Sequence, residues 1–137
     1  MTNPKENEIS GIVDFAQFLG AEQRPSTQIL TLYIPDKDRF NHEIGTQRKW
    51  VLEAADLLAS IGGGVTIMPP TEGGWFDEPN QVIIWEKPVL VYTYIKPPQF
   101  FNSLSCLREF LHRMGRETNQ GEVALEFDGH FFRITKY

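Results

Sequence analysis

A chain of 137 residues has room for one domain of ordinary size, and an apolar content of 41% suits a packed core rather than wholesale disorder. Its 13 Lys and Arg against 18 Asp and Glu leave a net charge of −5, which supplies no global positive field to hold a phosphate backbone. The single cysteine, Cys106, excludes an internal disulfide, no signal-like segment opens the chain, and no uncharged apolar stretch approaches the ~20 residues of a membrane-spanning helix, so the expected protein is cytoplasmic with no membrane partner.

Residues 1–27 read as an N-terminal arm and linker. The first eight are too polar to offset their ordering entropy. Ile12, Phe15, Ala16 and Leu19 then fall at helical spacing between Ser10 and Gly20, which predicts a short amphipathic helix. Pro25 and its neighbours form the linker. Residues 28–137 read as a single α+β domain. The run 28–34 (QILTLYI) is β-branched and aromatic and stops at Pro35, as a strand would. After a polar loop, Thr46 opens a helix whose Trp50, Val51, Ala54, Leu57, Leu58 and Ile61 share one face, and the glycines 62–64 end it. The segment 65–68 reads as a strand closed by Pro69 and Pro70.

Two strand-like runs follow, 81–86 and 89–95, separated only by Lys87 and Pro88, and they are expected to form a hairpin. Pro97 and Pro98 introduce a second helix with Phe100, Leu104, Leu107, Leu111 and Met114 as its stripe, widened by Phe101 and Phe110 and ending near Gly115. Asp128-Gly129 joins the last two alternating runs as a type I′ hairpin. This order predicts a ferredoxin-like sandwich: an antiparallel sheet with two main helices on one face, plus the short N-terminal helical arm.

Strand 89–95 is apolar on both sides, with Val89, Val91 and Ile95 opposed to Leu90, Tyr92 and Tyr94. Two helices cover one face of a sheet. The other therefore calls for the N-terminal arm, a fold-back of the strands, or another subunit. Tyrosine hydroxyls reaching the rim of a well-buried strand are the plainer alternative.

Chemistry-bearing residues are few. Gly62-Gly63-Gly64 follows a helix, whereas phosphate loops precede one, so helix termination is the better reading. Asp36, Asp38, Asn41 and Glu43, with His42, lack cation-loop spacing and read as a solvated polar loop. His42, His112 and His130 lie far apart, so no metal is expected, and no residue pattern calls for a cofactor. Cys106 reads as a small core hydrophobe. Glu72, Asp77, Glu78 and Glu86 cluster around Trp75 and Trp85, where carboxylates beside aromatics can divide acid and base roles. The catalytic candidates are Glu72, Glu86 and Tyr92. A ligand or partner surface is expected at Tyr33, Trp75, Trp85, Tyr92 and Tyr94. Arg108, His112 and Arg116 form a basic stripe at helical spacing, diluted by the neighbouring Glu109–Arg113 pair.

The succession of 32–35 (LYIP), the helix around Lys49-Trp50, 63–75 (GGVTIMPPTEGGW), 83–95 (IIWEKPVLVYTYI) and the step from Gln120 into 122–127 resembles small bacterial ferredoxin-like proteins of a domain-of-unknown-function type. That resemblance implies a fold and a bacterial cytoplasmic setting and supplies no catalytic residues. The expected function is a non-enzymatic interaction or accessory protein, self-associating through its sheet, with a homo-oligomer or a protein partner and no nucleic acid. One alternative is a small-molecule-binding enzyme of dimeric α+β barrel type with Glu or Tyr managing protons; a second is an RNA-binding regulator using the basic stripe.

Overall fold

The structure, a computed structural model, describes residues 15–22 and 28–137. The elements of the main domain are β1 (Ile29–Ile34), α1 (Gln47–Gly62), β2 (Thr66–Ile67), β3 (Gly73–Asp77), β4 (Val82–Glu86), β5 (Val89–Tyr94), α2 (Pro97–Asn102), α3 (Leu104–Glu117), β6 (Val123–Phe127) and β7 (His130–Ile134). Residues 15–19 are helical, while the start of the expected arm helix and the linker around Pro25 fall outside the described residues.

Five strands form one sheet in the order β2-β5-β1-β6-β7, with every neighbouring pair antiparallel. Two crossovers build it: β1 reaches β2 through α1, and β5 reaches β6 through α2 and α3. The register places Leu30, Leu32 and Ile34 of β1 opposite Thr93, Val91 and Val89 of β5, and Leu30 and Leu32 opposite Phe127 and Leu125 of β6. This face packs on Trp50, Val51, Ala54, Leu58 and Ile61 of α1 and on Leu107, Phe110, Leu111 and Met114 of α3, giving one hydrophobic core. Both main helices therefore cover the same side, as period-3.6 patterning against period-2 strands requires.

Several local features explain the helix ends. The Trp50 indole N–H donates to Thr46 Oγ1 at 3.2 Å, so Thr46 stands at the N-cap position but spends its hydroxyl on the core tryptophan. At the other end Gly63 takes φ 84° and donates to Ala59 O, a left-handed stop that glycine adopts without Cβ strain. Asp128 and Gly129 both take positive φ, 51° and 80°, as the type I′ hairpin demands.

The expected pairing of 81–86 with 89–95 does not occur. β4 pairs instead with β3 in a separate two-stranded ribbon, and β5 pairs with β1 and β2. The reason lies at the junction: Lys87 N donates to Asp36 Oδ1 at 3.0 Å and Pro88 has no N–H, so the two residues between the strands cannot close a two-residue turn. The strand potential of β4 is met by β3 across the turn at residues 78–81. Gly73-Gly74-Trp75 is consequently part of a strand.

Two further expectations are corrected. The second helix is broken at Ser103 into α2 and α3 and runs on to Glu117, past Gly115. Cys106 is exposed, because α3 turns Leu107, Phe110, Leu111 and Met114 to the core and Cys106 lies off that face, as Leu104 and Phe101 also lie outside.

Candidate functional site

The opposite sheet face carries no helix of the main domain. Tyr33 and Thr31 of β1, Leu90, Tyr92 and Tyr94 of β5, Glu126 of β6 and Phe131 of β7 share it by register. Tyr33 stands edge-on to Phe131, and Tyr92 edge-on to Tyr94, with ring centroids 6.3 and 6.4 Å apart. The Tyr33 hydroxyl donates to Glu126 Oε1 at 2.6 Å, and burial together with that carboxylate pushes the Tyr33 pKa up to about 12. Tyr33 therefore keeps its proton and acts as a fixed donor.

Ionisable chemistry gathers elsewhere, where the loop after β1 meets the base of the ribbon. A groove of about 420 Å³ is lined by Asp36, Lys37, Glu43, Glu72, Trp85, Glu86 and Lys87. Pro35 ends β1 and turns the chain so that Asp36 receives the Lys87 N–H through its carboxylate and the Ile44 N–H through its carbonyl. Lys37 donates from Nζ to Trp85 O at 3.2 Å, and Gln47 Nε2 donates both to Ile34 O and to Lys87 O. Thr71 donates through N and Oγ1 to Pro88 O. The junction between β4 and β5 is thereby held from three directions.

Glu86 is the perturbed carboxylate of this groove. Burial raises its pKa above the usual glutamate range, and the nearby Asp36 charge adds to the rise; the Trp75 indole N–H, donating to Oε1 at 3.3 Å, opposes it. Trp75 and Glu86 lie on the same face of the ribbon, since Gly73 pairs with Glu86 and Trp75 with Ile84. Trp85 borders the groove, but the register turns its side chain to the ribbon's other face, with Phe76 and Ile83. A second groove, of about 500 Å³, lies between the start of α1 and the end of β2 and is lined by aliphatic and proline side chains with Gln47 and Arg48. It offers no acid, base or nucleophile.

The surface expected from sequence is thus split. Glu72, Trp85 and Glu86 come together, Trp75 joins them through its bond to Glu86, and Tyr33, Tyr92 and Tyr94 lie apart on the open sheet face. Tyr92 lines no part of the acidic groove. Arg108, His112 and Arg116 sit on α3, also outside it, and His112 is pushed toward the neutral form by burial and by the two arginines. Asp36, Lys37, Glu43 and Lys87 were not expected at a site. The abrupt stop at Pro35 and the Lys87-Pro88 interruption are the sequence signals that fix where these two chain reversals meet. Among the described residues no group of three or more His, Cys, Asp or Glu side chains is arranged to hold a metal ion.

No family model and no curated protein matches this sequence. Among solved structures, the chain is similar to a phage SAM lyase in complex with S-methyl-5′-thioadenosine, with a TM-score of 0.54 and 10% identity over 83% of this chain and 93% of that one. It is also similar to a phage SAM lyase in the apo state, with a TM-score of 0.50 and 12% identity over 83% of this chain and 94% of that one. The expectation of a non-enzymatic accessory protein is corrected by this finding, because the chains that share the fold are an enzyme, and the small-molecule enzyme alternative accords better with them. What is common at such identity is the fold: an antiparallel sheet and packed helices over most of both chains.

Proposed function

We propose that this chain is a small-molecule enzyme acting on S-adenosylmethionine or a closely similar adenosyl sulfonium, and that the groove at the ribbon base is its site. The observation that carries the proposal is the half-buried Glu86, raised in proton affinity and joined to the Trp75 indole, in a groove where four carboxylates outnumber two lysines. A sulfonium is a compact cation with no hydrogen-bond donor on its charged atom, so carboxylates at short range and an indole face are what recognise it. Trp75, half-exposed on the Glu86 face, also offers a stacking surface for a purine.

The chemistry that suits such a site is scission of the bond between the sulfonium and the amino-acid arm. The bonding electron pair ends on sulfur, which becomes the neutral thioether of S-methyl-5′-thioadenosine and needs no general acid. Positive charge on sulfur falls along this path, so the partly desolvated end of the groove beside Glu86 and Trp75, rather than its carboxylates, favours the transition state over the charged ground state. The departing carbon is left an electron pair short, and Glu86 is the group placed to take a proton from the carbon next to it, the C–H pair becoming the C=C bond of the released amino acid; its raised pKa makes it a stronger base than an ordinary glutamate. The strand order supports the ferredoxin-like reading of the fold, with two interlocked β-α-β crossovers, and the enzyme is proposed to work in the cytoplasm. No helix of the described residues is long and apolar enough to cross a membrane.

The test is incubation of the full chain with S-adenosylmethionine and chromatographic detection of S-methyl-5′-thioadenosine, alongside calorimetric titration with the thioether itself. Product release that Glu86→Gln lowers by about 10²-fold or more supports the proposal. Neither turnover nor binding by the folded wild-type chain overturns it.

A further inference from the structure

Among the described residues the β3–β4 ribbon pairs only with itself, and it packs against no other helix or strand to any substantial extent. A two-stranded hairpin alone in water is marginally stable at best. This one nevertheless presents Phe76, Ile83 and Trp85 on the face opposite Glu86, with 54, 50 and 58% of their surface open. The same chain leaves a second apolar area uncovered, the open sheet face, where Tyr94 and Phe131 are about half exposed beside Leu90 and Tyr92.

We propose that the Phe76/Ile83/Trp85 face of the ribbon docks on the open sheet face of a second copy of this chain. Taking ~150–250 Å² for each aromatic side chain, the two half-exposed areas together amount to about 500–600 Å² of apolar surface per copy. That approaches the ~800 Å² which each partner of a standard interface gives up, the remainder coming from a polar rim. The described part of the N-terminal segment is the competing cover, but its helical residues 15–19 leave Phe15, Phe18 and Leu19 themselves exposed, and so short a segment covers one of the two areas at most. A second copy brings both areas together and buries them in one assembly. The docking face is opposite the Trp75 and Glu86 face and shares only Trp85 with the groove, so the test reads association and not turnover.

Sedimentation velocity and light scattering on the full chain test it. The wild type is expected to be an oligomer that dissociates on dilution, with Phe76→Glu/Ile83→Glu and, separately, Phe131→Glu weakening association by about thirtyfold or more. Circular dichroism confirms that the variants fold. Should the ribbon variant not fold, hydrogen exchange on the wild type replaces it, the β3–β4 amides being protected in the concentrated sample and exchanging faster on dilution. A wild type that is monomeric throughout, or an oligomer unaffected by these changes, overturns the proposal. So does a monomer whose ribbon is protected until residues 1–22 are removed, since the occupant is then the chain's own arm.

Discussion

Glu86 and Tyr33 are both raised in pKa, by different surroundings, and the two shifts make separate pH predictions. For Glu86 burial leads, so the folded state holds the proton at pH values where the unfolded chain has released it. Stability therefore falls as pH rises from the ordinary glutamate range through the raised folded value, and Glu86→Gln removes that dependence. Urea unfolding midpoints across the acidic range check this: the wild type should lose stability over that window relative to the variant, and parallel curves for the two would contradict it. Tyr33 acts in the alkaline range. Its folded pKa of about 12 against the ordinary tyrosine value of 10.0 means that stability is lost as pH climbs between those values, and Glu126→Gln should shift the tyrosinate absorbance transition downward. Neither shift was legible in the sequence. Glu86 was one of four neighbouring acidic residues until the groove distinguished it, and Glu126 is distant in sequence from the hydroxyl it accepts.

Helix α1 is the element whose fit on the sheet can be broken by one atom. Gly62 closes the helix against β5, and a Cβ built there would collide with the Thr93 side chain and the Tyr94 carbonyl. Neither obstacle is the free end of a flexible chain, since Thr93 Oγ1 is engaged with the Gly64 carbonyl. Gly62→Ala therefore forces α1 away from β5 and is expected to cost about 1–3 kcal/mol in denaturant unfolding, despite alanine's higher helix propensity. A neutral or stabilising result would mean that the helix end yields freely. The sequence made α1 legible because one face repeats at helical spacing and glycine ends it. It did not make β4 legible as a ribbon strand, because alternation in 81–86 suits either neighbour. The choice was made by Pro88 and by the Lys87 N–H, whose bond to Asp36 arises between residues far apart in the chain.

At the scale of the whole molecule, the two crossovers are tied together beside the groove by one buried amide. Gln120 lies in the connection from α3 to β6, yet its Nε2 donates to Lys37 O at 2.8 Å and to Thr118 O at 3.2 Å. The Gln120 backbone carbonyl accepts from Arg39 Nη2 at 2.7 Å, and Arg39 N donates to Asn119 O. The second crossover thus holds the loop that opens the first, and that loop supplies Asp36, Lys37 and Glu43 to the groove. Sequence reading could place Gln120 at a strand entry but not across from residue 37, since loop-to-loop contacts leave no periodic trace. Gln120→Ala removes two donated bonds and leaves the acceptors in a poorly solvated position, which should cost about 1–3 kcal/mol in stability. Because Lys37 also supports the ribbon base through Trp85 O, the damage should travel. Hydrogen exchange of the variant is expected to accelerate at residues 36–44 and at the β4–β5 junction, while the α1 core stays protected. Faster exchange confined to the Thr118–Gln120 turn would instead make this amide a local brace, and the groove would then owe its shape to the bonds that Asp36, Lys37, Gln47 and Thr71 make to the β4–β5 junction.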